Sequence, residues 1–144
     1  MRIVELTALS DVQVLDILVL MRELDPEIAV TSEMLRRAVE AAETHFFAAL
    51  EDDGHVMGCA SFCVFASPTG RKASVEDVVV SSSCRGRRIG RQLVEAILDF
   101  ARRELAPVEI HLTSRPHRVA ANELYRSLGF QQKETNVYRL CISG

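Results

Sequence analysis

Apolar positions change their spacing along the chain, and each change marks an element. Ile3-Val4-Glu5-Leu6 reads as a short strand. Ser10 opens a helix, because Ser10 and Gln13 have the Ser-x-x-Gln spacing of a capping box. Val14, Leu15, Leu18 and Met21 recur at helical spacing to about Glu23, and Asp25-Pro26-Glu27 breaks the run. Thr31 caps a second helix through Met34, Leu35, Ala38, Val39 and Ala42. From His45 the pattern turns to strands. Phe46-Phe47-Ala48-Ala49-Leu50 is a compact apolar run, and Asp52-Asp53-Gly54 is a hairpin turn leading into residues 55–66. Ser67-Pro68-Thr69-Gly70 is a second turn, and residues 73–80 form a third long strand ending in Val78-Val79-Val80.

The period then switches from two to 3.6. Ile89, Leu93, Ile97 and Ala101 lie four apart, with Arg91, Glu95, Asp99, Arg102 and Arg103 on the outer face. That spacing allows an Asp99–Arg103 pair one turn apart. Pro107 ends this helix, and residues 108–112 alternate as a strand. A fourth helix starts near Pro116, runs through Ala120, Leu124 and Leu128, and stops at Gly129. Residues 130–134 and 137–142 read as two closing strands around a turn at Thr135-Asn136. A strand, a crossover helix and a strand imply local parallel pairing. The expected fold is therefore an α/β mixed sheet, mostly antiparallel, with a central parallel pair and helices on both faces.

Length and composition narrow the class. A chain of 144 residues suits one domain, 1–144, with one sizeable core. No apolar run reaches the roughly 18–20 residues that span a bilayer, and an acid, Glu5, falls within the first five positions. A cytoplasmic protein with no membrane partner is expected. Net charge is −3, yet four arginines crowd into residues 85–91. A local basic loop on an acidic protein suggests a small anionic ligand, not nucleic acid. Cys59, Cys63, Cys84 and Cys141 lack disulfide-framework spacing, and the four histidines form no His-x-x-x-His pair. Neither disulfides nor a metal site is expected.

The most informative stretch is Val80-Ser81-Ser82-Ser83-Cys84-Arg85-Gly86-Arg87-Arg88-Ile89-Gly90. It is a strand end, a basic loop with glycines, and a helix start. Exposed N–H groups and the positive end of the helix dipole make such a junction an anion site. It is neither a P-loop nor a Rossmann fingerprint. Arg-Gly-Arg-Arg-Ile-Gly after a valine-rich strand resembles the acyl-CoA loop of the GNAT N-acetyltransferase superfamily, Gln/Arg-x-x-Gly-x-Gly/Ala. Arg85 and Gly90 match its first and last places, and Arg88 stands where the family has its middle glycine. A second segment, Ala121-Asn122-Glu123-Leu124-Tyr125-Arg126-Ser127-Leu128-Gly129-Phe130, is similar to the family's Ala-x-x-Leu-Tyr-x-x-x-Gly-Phe ending.

The resemblance implies acetyl transfer from acetyl-CoA, as co-substrate, to a primary amine of a small molecule or peptide. It implies that CoA phosphates rest on Arg85, Gly86, Arg87, Arg88, Ile89 and Gly90. The pantetheine arm would follow Val78, Val79 and Val80, where that strand and residues 108–112 splay apart. Arg118 stands where the family often has Asn, and Asn122 offers a nearby contact. Tyr125 would protonate the departing thiolate. Amines arrive protonated, so a base or a water path to one helps. Glu76 and Asp77 sit within an apolar strand, whose alternation lets only one of them face a given cleft. Glu76 is favoured as that base. The acidic segment Glu23-Leu24-Asp25-Pro26-Glu27 would border the acceptor and suit a cationic amine. Family members often pair through terminal strands, so a homodimer is expected. The rival reading is a non-catalytic acyl-CoA-binding regulatory module of the same fold.

Overall fold

The computed structural model describes residues 1–144. In chain order it contains β1 (Arg2–Leu6), α1 (Asp11–Leu24), α2 (Ser32–Glu40), β2 (Thr44–Leu50), β3 (Val56–Ser67), β4 (Gly70–Val80), α3 (Ile89–Glu104), β5 (Glu109–His111) and α4 (Val119–Ser127). The five strands form one open sheet in sequence order, β1-β2-β3-β4-β5. Pairing is antiparallel from β1 to β4 and parallel between β4 and β5. The chain divides into two compact units, Met1–Thr113 and Ser114–Gly144. No helix is long and apolar enough to cross a membrane.

Helix starts follow the side-chain chemistry. Ser10 Oγ accepts the Gln13 amide at 3.2 Å, and Gln13 Oε1 accepts the Ser10 amide at 3.0 Å, which completes the capping box. Thr31 Oγ1 accepts the Met34 amide at 3.1 Å. In the first unit α1 and α2 cover one face of the sheet, where Val14, Ile17, Leu20, Leu35 and Val39 pack with Phe46, Ala48, Leu50, Cys59 and Val79. The other face belongs to α3. Its predicted stripe Ile89, Leu93, Ile97 and Ala101 packs on Phe47, Ala49, Ala60, Phe62, Ala73 and Val75. β2 lies under helices on both sides, which explains its unbroken run of apolar residues.

The second unit holds α4, whose end explains part of the sequence motif. Gly129 has φ +98. Its amide donates to Arg126 O at 3.0 Å, and the Phe130 amide donates to Tyr125 O at 3.0 Å. These are the two bonds of a Schellman cap. The hydrophobic contact that accompanies such a cap is also present, with the Tyr125 and Phe130 rings edge to face at 5.9 Å.

The structure departs from the sequence expectation in four places. Residues 130–134 and 137–142 form no strand. Alternating apolar residues make a strand only when a partner supplies the ladder, and no partner strand meets them. The parallel pair therefore lies at the sheet's edge, not its centre. The fourth helix begins at Val119, after a turn at Pro116-His117, because the Arg118 amide closes on Arg115 O before the helix starts. Finally, Asp99 pairs with Arg102, not Arg103.

Candidate active site

β4 loses its neighbour halfway along. Its ladder with β5 has three rungs, Lys72–Glu109, Ala73–Ile110 and Ser74–His111. From residue 75 to Val80 the β5 side of β4 has no partner strand. Val78, Val79 and Val80 all lie on this unpaired stretch, where the family resemblance implies a splay.

A β-bulge sits at the same place. Cys59 pairs with Val79 and Ser61 with Glu76, so Ala60 alone faces both Asp77 and Val78. Asp77 takes φ +53, a left-handed conformation that aspartate tolerates better than most residues. The extra residue reverses the alternation. Ala73 and Val75 point to the α3 face, and so do Val78 and Val80, while Val79 joins the α1–α2 face. Glu76 and Asp77 thus fall one after the other on the α1–α2 face. The expectation that only one of them can face a cleft is corrected, because it assumed an unbroken pleat.

The two carboxylates differ in surroundings. Both residues reach solvent, and Glu76 accepts a hydrogen bond from Ser74 Oγ. Asp77 lines a cavity of about 210 Å³ between α1, α2 and β4, together with Met21, Leu24, Asp25, Ile28 and Met34. Partial burial pushes its carboxyl above the usual carboxylate range, and the neighbouring Glu76 charge pushes it the same way. A second, wider depression lies against α2, lined by Ser32, Glu33, Arg36 and Arg37. It is solvent-open, and the Arg37–Glu33 ion pair forms part of its lining.

The β4–α3 junction begins with the Ser81 amide donating to Met57 O at 2.7 Å, followed by one 3-10 turn, Ser82–Cys84. Gly86 takes φ +84 and Arg88 takes φ +57. Arg88 is the N-cap of α3, and its carbonyl accepts the first helical bond, from the Gln92 amide at 3.1 Å. The amides of Ile89 and Gly90 precede that first bond and have no intrahelical acceptor. Arg88 therefore takes a left-handed conformation at the place where the resembled loop pattern has glycine. Arg85 and Arg88 make no ion pair and project from an exposed loop. Arg87 is committed elsewhere: its Nη1 meets Glu51 Oε1 at 2.8 Å and Met57 Sδ at 3.4 Å. It hooks the loop to the β2–β3 turn.

Three residues that the motif reading did not single out shape this site. Gly58 lets the start of α3 sit down on the sheet, since a β-carbon there would lie 3.0 Å from Val79 O and 3.2 Å from Ile89 Cγ2. Glu51 holds Arg87. Glu23 accepts the Ser82 amide at 3.2 Å and Ser82 Oγ at 3.0 Å, tying the end of α1 to the loop. Glu23 already stood in the acidic segment, whereas Gly58 and Glu51 carry no local signal.

In the second unit Tyr125 is buried, and burial pushes its hydroxyl above the ordinary phenol range, with Arg118 pulling partly back. Arg118, seven residues earlier, is the N-cap of that helix. Asn122 is turned to the turn before its own helix, donating from Nδ2 to Arg115 O at 3.0 Å. No group of three or more His, Cys, Asp or Glu side chains gathers as a metal site.

A mixed sheet opens beside a bulged strand and runs on into a basic helix start. The Acetyltransferase (GNAT) family model matches residues 14–130, and the chain belongs to that family. A relative, the N-alpha-acetyltransferase RimI of Mycobacterium tuberculosis, is 31% identical over 96 residues. That match covers 67% of this chain and 58% of the relative, so the chain spans less than two thirds of its length. Among solved structures, one from Agrobacterium tumefaciens strain C58 superposes with a TM-score of 0.82 at 21% identity, covering 98% of this chain and 100% of the other. Glucosamine-6-phosphate N-acetyltransferase of Arabidopsis thaliana gives 0.74 at 20% identity, covering 96% and 97%. Both likenesses show the fold.

Proposed function

We propose that this protein moves the acetyl group of acetyl-CoA to a primary amine by direct attack. The observation that carries the reading is the β4 edge left unpaired from residue 75, leading straight into the amides at the α3 start. The donor set fits a CoA molecule. The Ile89 and Gly90 amides, the Gly86 turn and the side chains of Arg85 and Arg88 suit phosphate groups. The Val78-Val79-Val80 edge suits the amide-bearing pantetheine arm, and Arg87 holds the loop in shape. When bound, the thioester supplies an acyl carbon open to a neutral amine.

The chain's own residues then handle protons. The carboxylates of the β4 bulge accept the proton of the arriving ammonium, Asp77 at the cavity and Glu76 beside it. A carboxyl held above its usual range is a better base for this purpose than a fully solvated one. The C–N bond forms as the C–S bond breaks, and the Tyr125 O–H gives its proton to the departing sulfur. Burial keeps that hydroxyl protonated at neutral pH. Solvent takes up the carboxylate's proton and the second proton of the attacking nitrogen, and it reprotonates Tyr125. The N-acetylating name of the mycobacterial relative supports an amine acceptor. We also propose that the protein works as a homodimer paired through residues 137–142.

The test is a panel of primary amines with acetyl-CoA, following free thiol and the acetylated amine together. Equal amounts of both products support the reading. CoA binding with no amide product from any amine would instead favour a regulatory acyl-CoA-binding module.

A further inference from the structure

The cavity beside Asp77 is acidic only at two points. Asp25 and Asp77 are its only charged lining residues, and Asp25 Oδ1 already accepts the Glu27 amide at 3.0 Å. Every other lining side chain is apolar: Met21, Leu24, Ile28, Val30, Met34, Leu35 and Ala38. Ile28 and Met34 are 53% and 47% exposed, so the wall leaves large apolar surface open to water. Exposed apolar surface inside a concave site marks a place for an apolar ligand group. The volume is informative too. An apolar cavity of about 150 Å³ holds a benzene ring, and this one measures about 210 Å³.

We propose that the acceptor is an arylalkyl or branched alkyl primary amine, its apolar body in this cavity and its ammonium against Asp77. This inference rests on the N-acetyltransferase reading above. The wall argues against the polar amines that an acidic segment alone would suggest. A polyamine or amino sugar would lay several hydrogen-bonding groups against Met21, Leu24, Ile28 and Met34, with no partner for them. Asp77 also holds a left-handed conformation at the bulge, on the β4 wall of this largely apolar recess.

The test compares 2-phenylethylamine with spermidine and glucosamine in acetyl transfer, with the products measured by mass. The expected kcat/KM for 2-phenylethylamine exceeds both by at least about tenfold, the scale on which apolar pockets discriminate. Met34→Glu places a charge on an exposed part of the wall, where folding is not at stake. It should lower kcat/KM for 2-phenylethylamine about tenfold relative to spermidine. If spermidine or glucosamine is preferred by the wild type, the apolar-acceptor inference is overturned while N-acetylation stands. If no amine is acetylated, the underlying reading fails, and this one with it. A Met34→Glu variant that folds and keeps the same preference also counts against the cavity as the acceptor site.

Discussion

At Asp77 the folded state holds a carboxyl above its ordinary range, so its charge opposes folding at neutral pH. A group of this kind contributes stability only below the unfolded carboxylate value of about 3.9. That contribution is lost as pH rises through the folded value. Asp77→Asn removes the charge, and Asn accepts φ +53 as readily. At pH 7 the variant should melt at the same temperature as wild type or higher, and near pH 4 the gap should close. Its kcat/KM should fall by at least about tenfold, within the range of lost general-base catalysis. Raised stability with lost activity is the signature of a functional charge. A variant that melts lower at pH 7 and keeps full activity would make Asp77 structural.

Tyr125 needs a different argument, because it has a structural duty as well. It stands three residues before the α4 cap residue and packs its ring on Phe130 across the Schellman turn. Tyr125→Phe keeps that ring contact and the backbone bonds, and removes only the hydroxyl. The expected result is an unchanged melting temperature and acetyl-CoA affinity, with kcat lowered about tenfold or more. The loss should shrink with an acyl donor whose thiol leaves more easily. Wild-type turnover in this variant would reduce Tyr125 to its capping role and assign the proton to solvent.

Among the elements, those with local signals were legible in the chain. The capping box at Ser10, the Thr31 cap, the four-apart stripe of α3 and the stop at Gly129 each depend on residues within a turn of one another. The basic loop was legible for the same reason. The bulge was not, because it is defined by the register between β3 and β4 and no residue near Asp77 announces it. The role of Arg87 was hidden likewise, since its partner Glu51 lies 36 residues away. The loop reading now separates by residue. Arg85→Glu should weaken CoA strongly and pantetheine little, since only CoA carries the phosphates. Arg87→Glu should weaken both by loosening the loop from the β2–β3 turn. Combining it with Glu51→Arg restores the ion pair with its ends exchanged, and calorimetry should then find CoA affinity recovered to within about threefold, a difference of about 0.6 kcal/mol. No recovery in the exchanged pair would place Arg87 directly on the phosphates.

At the scale of the whole molecule, the segment after α4 is the part that one chain leaves unfinished. Val137, Tyr138, Leu140 and Ile142 are 73–88% exposed. In an extended conformation Tyr138, Leu140 and Ile142 would share one face, the pattern of a strand with a buried side. Fully burying one large apolar side chain contributes roughly 1.5–3 kcal/mol, so leaving several in water forgoes considerable stability. In the homodimer proposed above, a second copy would supply the matching surface. Antiparallel pairing of residues 137–142 with the same residues of its partner would be self-complementary, as a twofold interface requires. Light scattering at micromolar concentration should give twice the 16.0 kDa chain mass. Leu140→Asp with Ile142→Asp should shift the protein to a single-chain mass. The melting temperature of the wild type should rise with protein concentration, and that of the double variant should not. A wild-type mass of one chain at these concentrations removes the dimer, and a double variant that stays dimeric moves the interface away from residues 137–142.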